Sequence, residues 1–251
     1  MQAETAMNDE SWYLEWFDSP YYHLLYDNRD ETEARDFVHR LFSFLRPSLP
    51  ARVLDAGCGS GRHARVMNEL GFEVTGIDLS PANITRARRS ENDTLSFFVH
   101  DMRRTFRVNY FDYAFNLFTS FGYFRSNRDN VRVIDSLHSA LKKDGILVLD
   151  FFNSSCVEKM IASCNSGSKI SGGIEFTWKK KIVSGFIEKE IRFSDKGKDF
   201  HFTEHVRLLK PDDFRALFEN KFSVLHTFGD YRLAEFNEDE SPRLIFIAKK
   251  N

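Results

Sequence analysis

The sequence predicts an α/β protein built on a doubly wound parallel sheet, and three observations carry that expectation. From Ala51 to about Phe152, short apolar runs of strand length alternate with helical patterns. The first run ends in a glycine-rich turn, Gly57–Gly61, that opens a helix. Acidic residues, Asp78 and Asp101, close the second and third runs. Those are the strand ends at which open α/β sheets bind ligands.

The elements follow in order. Glu33, Ala34, Phe37, Val38, Leu41, Phe42 and Leu45 recur at helical spacing, and Pro47 and Pro50 stop the run, so residues 1–50 read as a helical N-terminal cap. An aromatic cluster from Trp12 to Tyr26 lies within it. Arg52–Ala56 is the first strand. Arg62–Leu70 is a helix ended by Gly71 at a left-handed position. Phe72–Ile77 is the second strand, and Ser80-Pro81 supplies an N-cap and a first-turn proline for a helix to about Glu91. Leu95–His100 and Phe111–Leu117 are strands, Asn127–Lys143 is a helix, and Ile146–Phe152 is a fifth strand, completing a core over 51–152. Residues 153–210 change character: Ser163–Gly173 carries loop signals, and Ile174–Val183, Gly185–Ser194 and Phe200–Leu209 read as an antiparallel three-strand insertion. Over 211–251, a helix (Asp212–Asn220) and two strands (Phe222–Phe228 and Arg243–Lys249) return to the main sheet.

Composition narrows the function classes. A formal charge of -2 argues against a general nucleic-acid binder. No stretch approaches the length of a membrane span, and Met1–Glu10 is polar without a secretory pattern. Cys58, Cys156 and Cys164 lack metal-like spacing and read as reduced thiols of a cytoplasmic protein. His201 and His205 share one strand face but lack further ligands, so no metal is expected. The outlier is phenylalanine, 26 residues against 8 Tyr and 3 Trp.

The chemistry sits in Val53–His63. Gly57, Gly59 and Gly61 let backbone approach a ligand at a helix start. A dinucleotide fingerprint would place its third glycine one residue later, and Asp55 just before the loop is ill suited to a pyrophosphate. A carboxylate at Asp78 can accept both ribose hydroxyls. Asp101 can take an exocyclic amine, with Met102 packing on a base.

VLDAGCGSGRHA, GIDLS, HDM and FDYAFNLFTSFGYF together resemble the motifs of class I S-adenosylmethionine-dependent methyltransferases, most of all small, uncharacterised bacterial-type members sharing the TSFGYF-like run. The resemblance covers Val53–Phe152, and extends weakly to YYHLLYDNRD and SPRLIFIAKK. It implies a Rossmann-like, doubly wound seven-stranded sheet whose last strand is antiparallel. It also implies S-adenosylmethionine as cofactor. Gly57, Cys58, Gly59 and Gly61, preceded by Asp55, would hold its methionine moiety; Asp78 and Leu79 its ribose; Asp101 and Met102 its adenine; and Asn116 and Leu117 would line the sulfonium side. Tyr21, Tyr22 and Arg29 would cover the cofactor from the cap. Family members that methylate nucleic-acid bases carry an Asn/Asp-Pro-Pro-aromatic run after strand four. Here Asn116-Leu117-Phe118-Thr119 stands instead, so a small-molecule acceptor is expected and nucleic acid is not.

Phe118, Phe121, Tyr123 and Phe124 follow the fourth strand and are expected to wall the acceptor site, beneath a cap and a β insertion that lie over it. Aromatic faces suit a sulfonium cation. Tyr123, Tyr22 and His100 are the candidates for a base, should the acceptor arrive protonated. A nicotinamide-dependent oxidoreductase, and a cofactor-binding protein acting through a partner, stand as alternatives. The acceptor atom (N, O or C) and the oligomeric state are not encoded legibly.

Overall fold

The computed structural model describes residues 12–26 and 31–251. Among the described residues, three helices precede the sheet: α1 (Trp12–Asp18), α2 (Pro20–Leu25) and α3 (Glu31–Leu45). Ser19 caps α2 by accepting from the Tyr21 N–H, and Pro20 starts it. α3 is amphipathic as its spacing predicts, burying Ala34, Phe37, Val38, Leu41 and Phe42.

β1 (Arg52–Ala56), α4 (Arg62–Glu69), β2 (Glu73–Asp78), α5 (Pro81–Ala87), β3 (Leu95–Val99), β4 (Phe111–Asn116), α6 (Asn127–Ala140) and β5 (Leu141–Phe152) form the alternating core. α7 (Ser154–Ser163) leads to a second sheet of β6 (Ser166–Ser171), β7 (Ile174–Val183), β8 (Phe186–Asp195) and β9 (Lys198–Arg207). α8 (Pro211–Phe218), β10 (Phe222–Phe228) and β11 (Arg243–Lys250) return the chain to the first. The main sheet has seven strands in the order β10-β11-β5-β4-β1-β2-β3. β11 runs antiparallel to both its neighbours, and β1 to β5 pair in parallel. The doubly wound sheet with an antiparallel last strand is therefore present.

Register positions the site. Ala56 pairs with Ile77, and Asp78 pairs with Val99, so the residues after β1, β2 and β3 emerge together at one sheet edge. α6 and α8 pack Ile134, Leu137, Phe214 and Phe218 on one face of the sheet. α3, α4 and α5 pack Phe37, Leu41, Met67 and Ile84 on the other.

The chain departs from the sequence expectation in three places. α6 stops at Ala140, so Leu141 begins β5 rather than closing the helix. Residues 153–165 contain α7, capped by the Asn153 side chain. The segment read as a loop contains β6, making the second sheet four-stranded. Its serines and glycines mimic loop composition, but Gly172 and Gly173 have φ of 58° and 78°, the left-handed pair that a tight hairpin turn demands. That turn joins Ser171 to Ile174 as a cross-strand pair.

A third core joins the cap to the second sheet. Trp12, Trp16 and Leu25 bury against Ile174, Phe176, Ile191 and Phe193. Among the described residues, no helix is long and apolar enough to cross a membrane.

Candidate active site

A cavity of about 400 Å³ opens at the carboxyl ends of β1 to β4. Its floor is the β1–α4 turn, where Gly57, Gly59 and Gly61 have φ of 78°, 54° and 80°. Ile77 carbonyl oxygen receives the N–H groups of Gly57 and Cys58 at 2.8 and 3.0 Å, pinning the turn to β2. Gly57 also lies under the loop after β4: a Cβ there would stand 2.6 Å from Ser120 Cβ.

Two carboxylates flank this turn. Asp78 accepts from Gly59 N–H and Ser80 N–H, both at 2.9 Å, and burial pushes its pKa up against those bonds. Asp55 is buried to 1% exposure, and its Oδ2 has no hydrogen-bond partner. Burial first, and the neighbouring Asp78 charge second, push the Asp55 pKa up to about 7. Asp101 is different. Its burial is outweighed by Arg103, which grips both carboxylate oxygens at 2.7–3.1 Å and holds the pKa below the ordinary range. Arg103 also lies 4.7 Å over the Phe124 ring.

The loop after β4 also lines the cavity, through Leu117, Phe118, Ser120, Tyr123 and Phe124. Phe118 and Thr119 have φ of 54° and 60°, a left-handed conformation that is strained for a β-branched residue. Buried Asp150 holds them there: its Oδ2 accepts from Phe118 N–H at 2.8 Å, and its backbone oxygen accepts from Thr119 N–H at 3.1 Å. Arg243 bonds Asp150 Oδ1 at 2.8 Å and Thr119 Oγ1 at 3.0 Å, and the Tyr231 hydroxyl donates to Asp150 at 3.1 Å. The Phe118 ring, stacked on Tyr231 and covered by Arg62, is thus fixed at the cavity.

Of the residues singled out in the sequence, Asp55, Gly57, Cys58, Gly59, Asp78, Leu79, His100, Asp101, Met102, Leu117, Phe118, Tyr123, Phe124 and Tyr22 line the cavity. Four do not. Gly61 lies behind the wall, where a Cβ would meet Phe97 at 2.6 Å. Asn116 is fully buried beneath it and donates to Ala56 carbonyl oxygen at 2.8 Å. Phe121 is fully buried against Phe214, in the core under α8. Tyr21 turns to the second sheet, bonds Asp195 at 2.8 Å and rests on Phe193 and Phe200. Arg29 and Met1–Glu10 fall outside the described residues. His100 is on the wall, but its Nε2 is within 2.8 Å of Arg104 carbonyl oxygen and its ring packs on Phe106.

Cap residues Tyr13, Phe17, His23, Tyr26 and Glu31 complete the wall, as do Arg62, His63 and Arg65 from α4. The aromatic cluster signalled the cap residues without showing which rings turn inward. No residue of 153–210 lines the cavity. The β insertion therefore stands behind the cap, where its buried face meets Trp12 and Trp16, rather than over the site.

A glycine turn beside the carboxylates of Asp55 and Asp78, at the strand ends of a doubly wound sheet and in one cavity with a cluster of rings, sits where α/β enzymes of this layout bind their ligands. The sequence profile of the methyltransferase-domain family matches residues 26–221. Glycine/sarcosine N-methyltransferase of Aphanothece halophytica is 26% identical over 250 residues, spanning 95% of this chain and 90% of its own. An S-adenosylmethionine-dependent methyltransferase of Clostridium acetobutylicum superposes with a TM-score of 0.78 at 16% identity, covering 92% of this chain and 96% of that one. CalS10 of Micromonospora echinaspora, an amino pentose methyltransferase solved with S-adenosylmethionine bound, gives 0.70 at 19%, covering 93% and 98%. The chain belongs to the methyltransferase-domain family and is an S-adenosylmethionine-dependent methyltransferase.

Proposed function

We propose that this enzyme methylates a small-molecule amine held between the donor and the aromatic wall. The observation that carries the proposal is the meeting of two chemistries in one cavity. The carboxylates of Asp55, Asp78 and Asp101 and the rings of Tyr13, Phe17, Tyr22, Tyr26, Phe118, Tyr123 and Phe124 line it together. S-adenosylmethionine supplies an electrophilic methyl group on a good leaving group. The residues present fit that donor. Asp78 would hold the ribose, Asp101 and Met102 would hold the adenine, and the unpartnered Asp55 oxygen would accept from its ammonium; all four residues line the cavity.

The remaining task of the chain is to orient the acceptor and exclude water. Ring faces attract positive charge, so the aromatic wall stabilises the cation that forms at nitrogen when a neutral amine is methylated. A hydroxyl acceptor gains less from such a wall and needs a base, and His100 is already engaged with Arg104. The names of the glycine/sarcosine and amino pentose enzymes point the same way. Transfer of labelled methyl to sarcosine and to amino sugars, set against their hydroxyl counterparts, tests this. Turnover confined to the hydroxyl compounds would remove the amine reading. Three free thiols and a cavity for a small metabolite are consistent with action in the cytoplasm.

The raised Asp55 pKa makes donor-site binding depend on pH. A ligand ammonium stabilises the carboxylate, so its binding below pH 7 releases a proton. Affinity for S-adenosylhomocysteine is expected to rise about tenfold per pH unit up to about 7 and to level off above it. Asp55→Asn should flatten the profile. The folded pKa of about 7 lies above the ordinary 3.8, so the stability linked to Asp55 is complete below 3.8 and is lost as pH rises through 7. Asp55→Asn should therefore raise the stability of the free enzyme at pH 8. Calorimetry and thermal melts across pH check both, and an equally steep binding profile in the variant would count against Asp55.

A further inference from the structure

The four-stranded sheet contributes nothing to the cavity wall, yet it carries the cap that does. The polar centre of that contact is Glu204 on β9. Its side chain is 13% exposed. It accepts from Trp16 Nε1 at 2.6 Å, and the Tyr26 hydroxyl stands 2.7 and 2.8 Å from its two oxygens. Lys189, paired with Glu204 across β8 and β9, donates to the Tyr26 hydroxyl at 2.7 Å. Its ammonium lies 4.7 Å from the centre of the Tyr26 ring and 4.9 Å from that of Trp178. Trp16 is fully buried and rests on Phe202 at 4.6 Å. Tyr26, with Tyr22 at 5.0 Å, is on the cavity wall.

We propose that Glu204 is a positioning residue for methyl transfer: by holding Trp16 and Tyr26, it fixes α1 and α2 at the angle that closes the cavity. Apolar packing between the cap and the sheet supplies attraction but little direction. Hydrogen bonds to a carboxylate are short, strong and geometrically selective. One carboxylate that engages a donor from each side of the α1–α2 corner sets the placement of both helices. The insertion thus acts on the reaction through the cap, which explains why a sheet that does not line the cavity is built with a charged, ring-enclosed centre.

The proposal rests on the reading that the cavity takes S-adenosylmethionine, and the probe is S-adenosylhomocysteine. Glu204→Gln keeps the side-chain volume and one acceptor oxygen but removes the charge. It is expected to speed dissociation of S-adenosylhomocysteine about tenfold, measured below the thermal transitions of both proteins, and to lower the thermal midpoint because Lys189 loses its charged partner. Tyr26→Phe removes the hydroxyl and should show the same acceleration. The double variant should be no faster than either single one, because both break one network. Phe176→Leu in the same sheet core should lower the thermal midpoint while leaving dissociation at the parent rate. Parent-like dissociation from Glu204→Gln overturns the proposal. So does equal acceleration by Phe176→Leu, since the effect would then report loosened packing alone. A parent enzyme that does not bind S-adenosylhomocysteine overturns the donor reading first, and the proposal with it.

Discussion

Asp150→Ala is expected to destabilise the protein by about 3–5 kcal/mol, the cost of leaving one partner of a buried ion pair without the other. Asp150 is fully buried and meets Arg243 at 2.7 Å. Burial pushes its pKa up, opposed by Arg243, by the Phe118 N–H and by the Tyr231 hydroxyl. Removing the carboxylate strands the Arg243 guanidinium and frees the Phe118 N–H. A domain of ordinary stability holds about 5–15 kcal/mol, so the variant should unfold at markedly lower urea concentration. The double change Asp150→Leu with Arg243→Met is expected to recover most of the loss, because apolar residues can replace a buried pair at little cost. It should not recover turnover. The strained Phe118-Thr119 turn would still lack the carboxylate that holds its amides, and the Phe118 ring would leave its place on the wall. Urea unfolding beside methyl-transfer rates checks this. A single variant within about 1 kcal/mol of the parent, or a double variant with full activity, would contradict it.

This brace shows where a sequence stops being readable. Asp150 and Arg243 are 93 residues apart, and their pairing exists only because β11 returns antiparallel to β5. Asp78 and Asp101 are legible for the opposite reason. In a parallel sheet, chain order alone places the residue after each strand at the same edge, so composition and spacing locate them. Side-chain direction within the cap is not local. Tyr21 and Tyr22 are neighbours on α2, yet about 100° of helix rotation sends Tyr22 to the cavity and Tyr21 to Asp195. The sequence groups Phe121 with Phe118 and Phe124, since all three follow β4. Left-handed residues at 118, 119 and 122 redirect the chain and send Phe121 into the core. Much of the phenylalanine excess proves to be core in the same way, including Phe97, Phe115, Phe151 and Phe214. The hairpin Gly172-Gly173 was hidden by composition, since the glycines that permit a tight turn are also those that mark a loop.

Gly57→Ala is expected to weaken S-adenosylhomocysteine binding by at least a hundredfold. Two separate costs act at that position. Its φ of 78° is left-handed, which costs an alanine about 1–2 kcal/mol. Its Cβ would also stand 2.6 Å from Ser120 Cβ, closer than packing allows, and 3.3 Å from Met102 Cε, a tight contact. Relief requires the turn after β1 to move away from the loop after β4, at about 1–3 kcal/mol for an overpacked site. That movement breaks the bond from Ser120 Oγ to Gly57 carbonyl oxygen at 3.1 Å, the tie between the turn after β1 and the loop after β4. Both Asp55 and Asp78 lie within one strand end of the displaced turn, so the loss should appear in affinity as well as in rate. Gly59→Ala supplies the contrast: its φ is 54°, but nothing stands within 4 Å of the added Cβ. It should retain most of its affinity, within about tenfold of the parent, because only the backbone cost remains. Calorimetry on both variants separates the two causes. Equal losses at Gly57 and Gly59 would mean that backbone conformation alone, and not the contact between the two loops, governs the donor site.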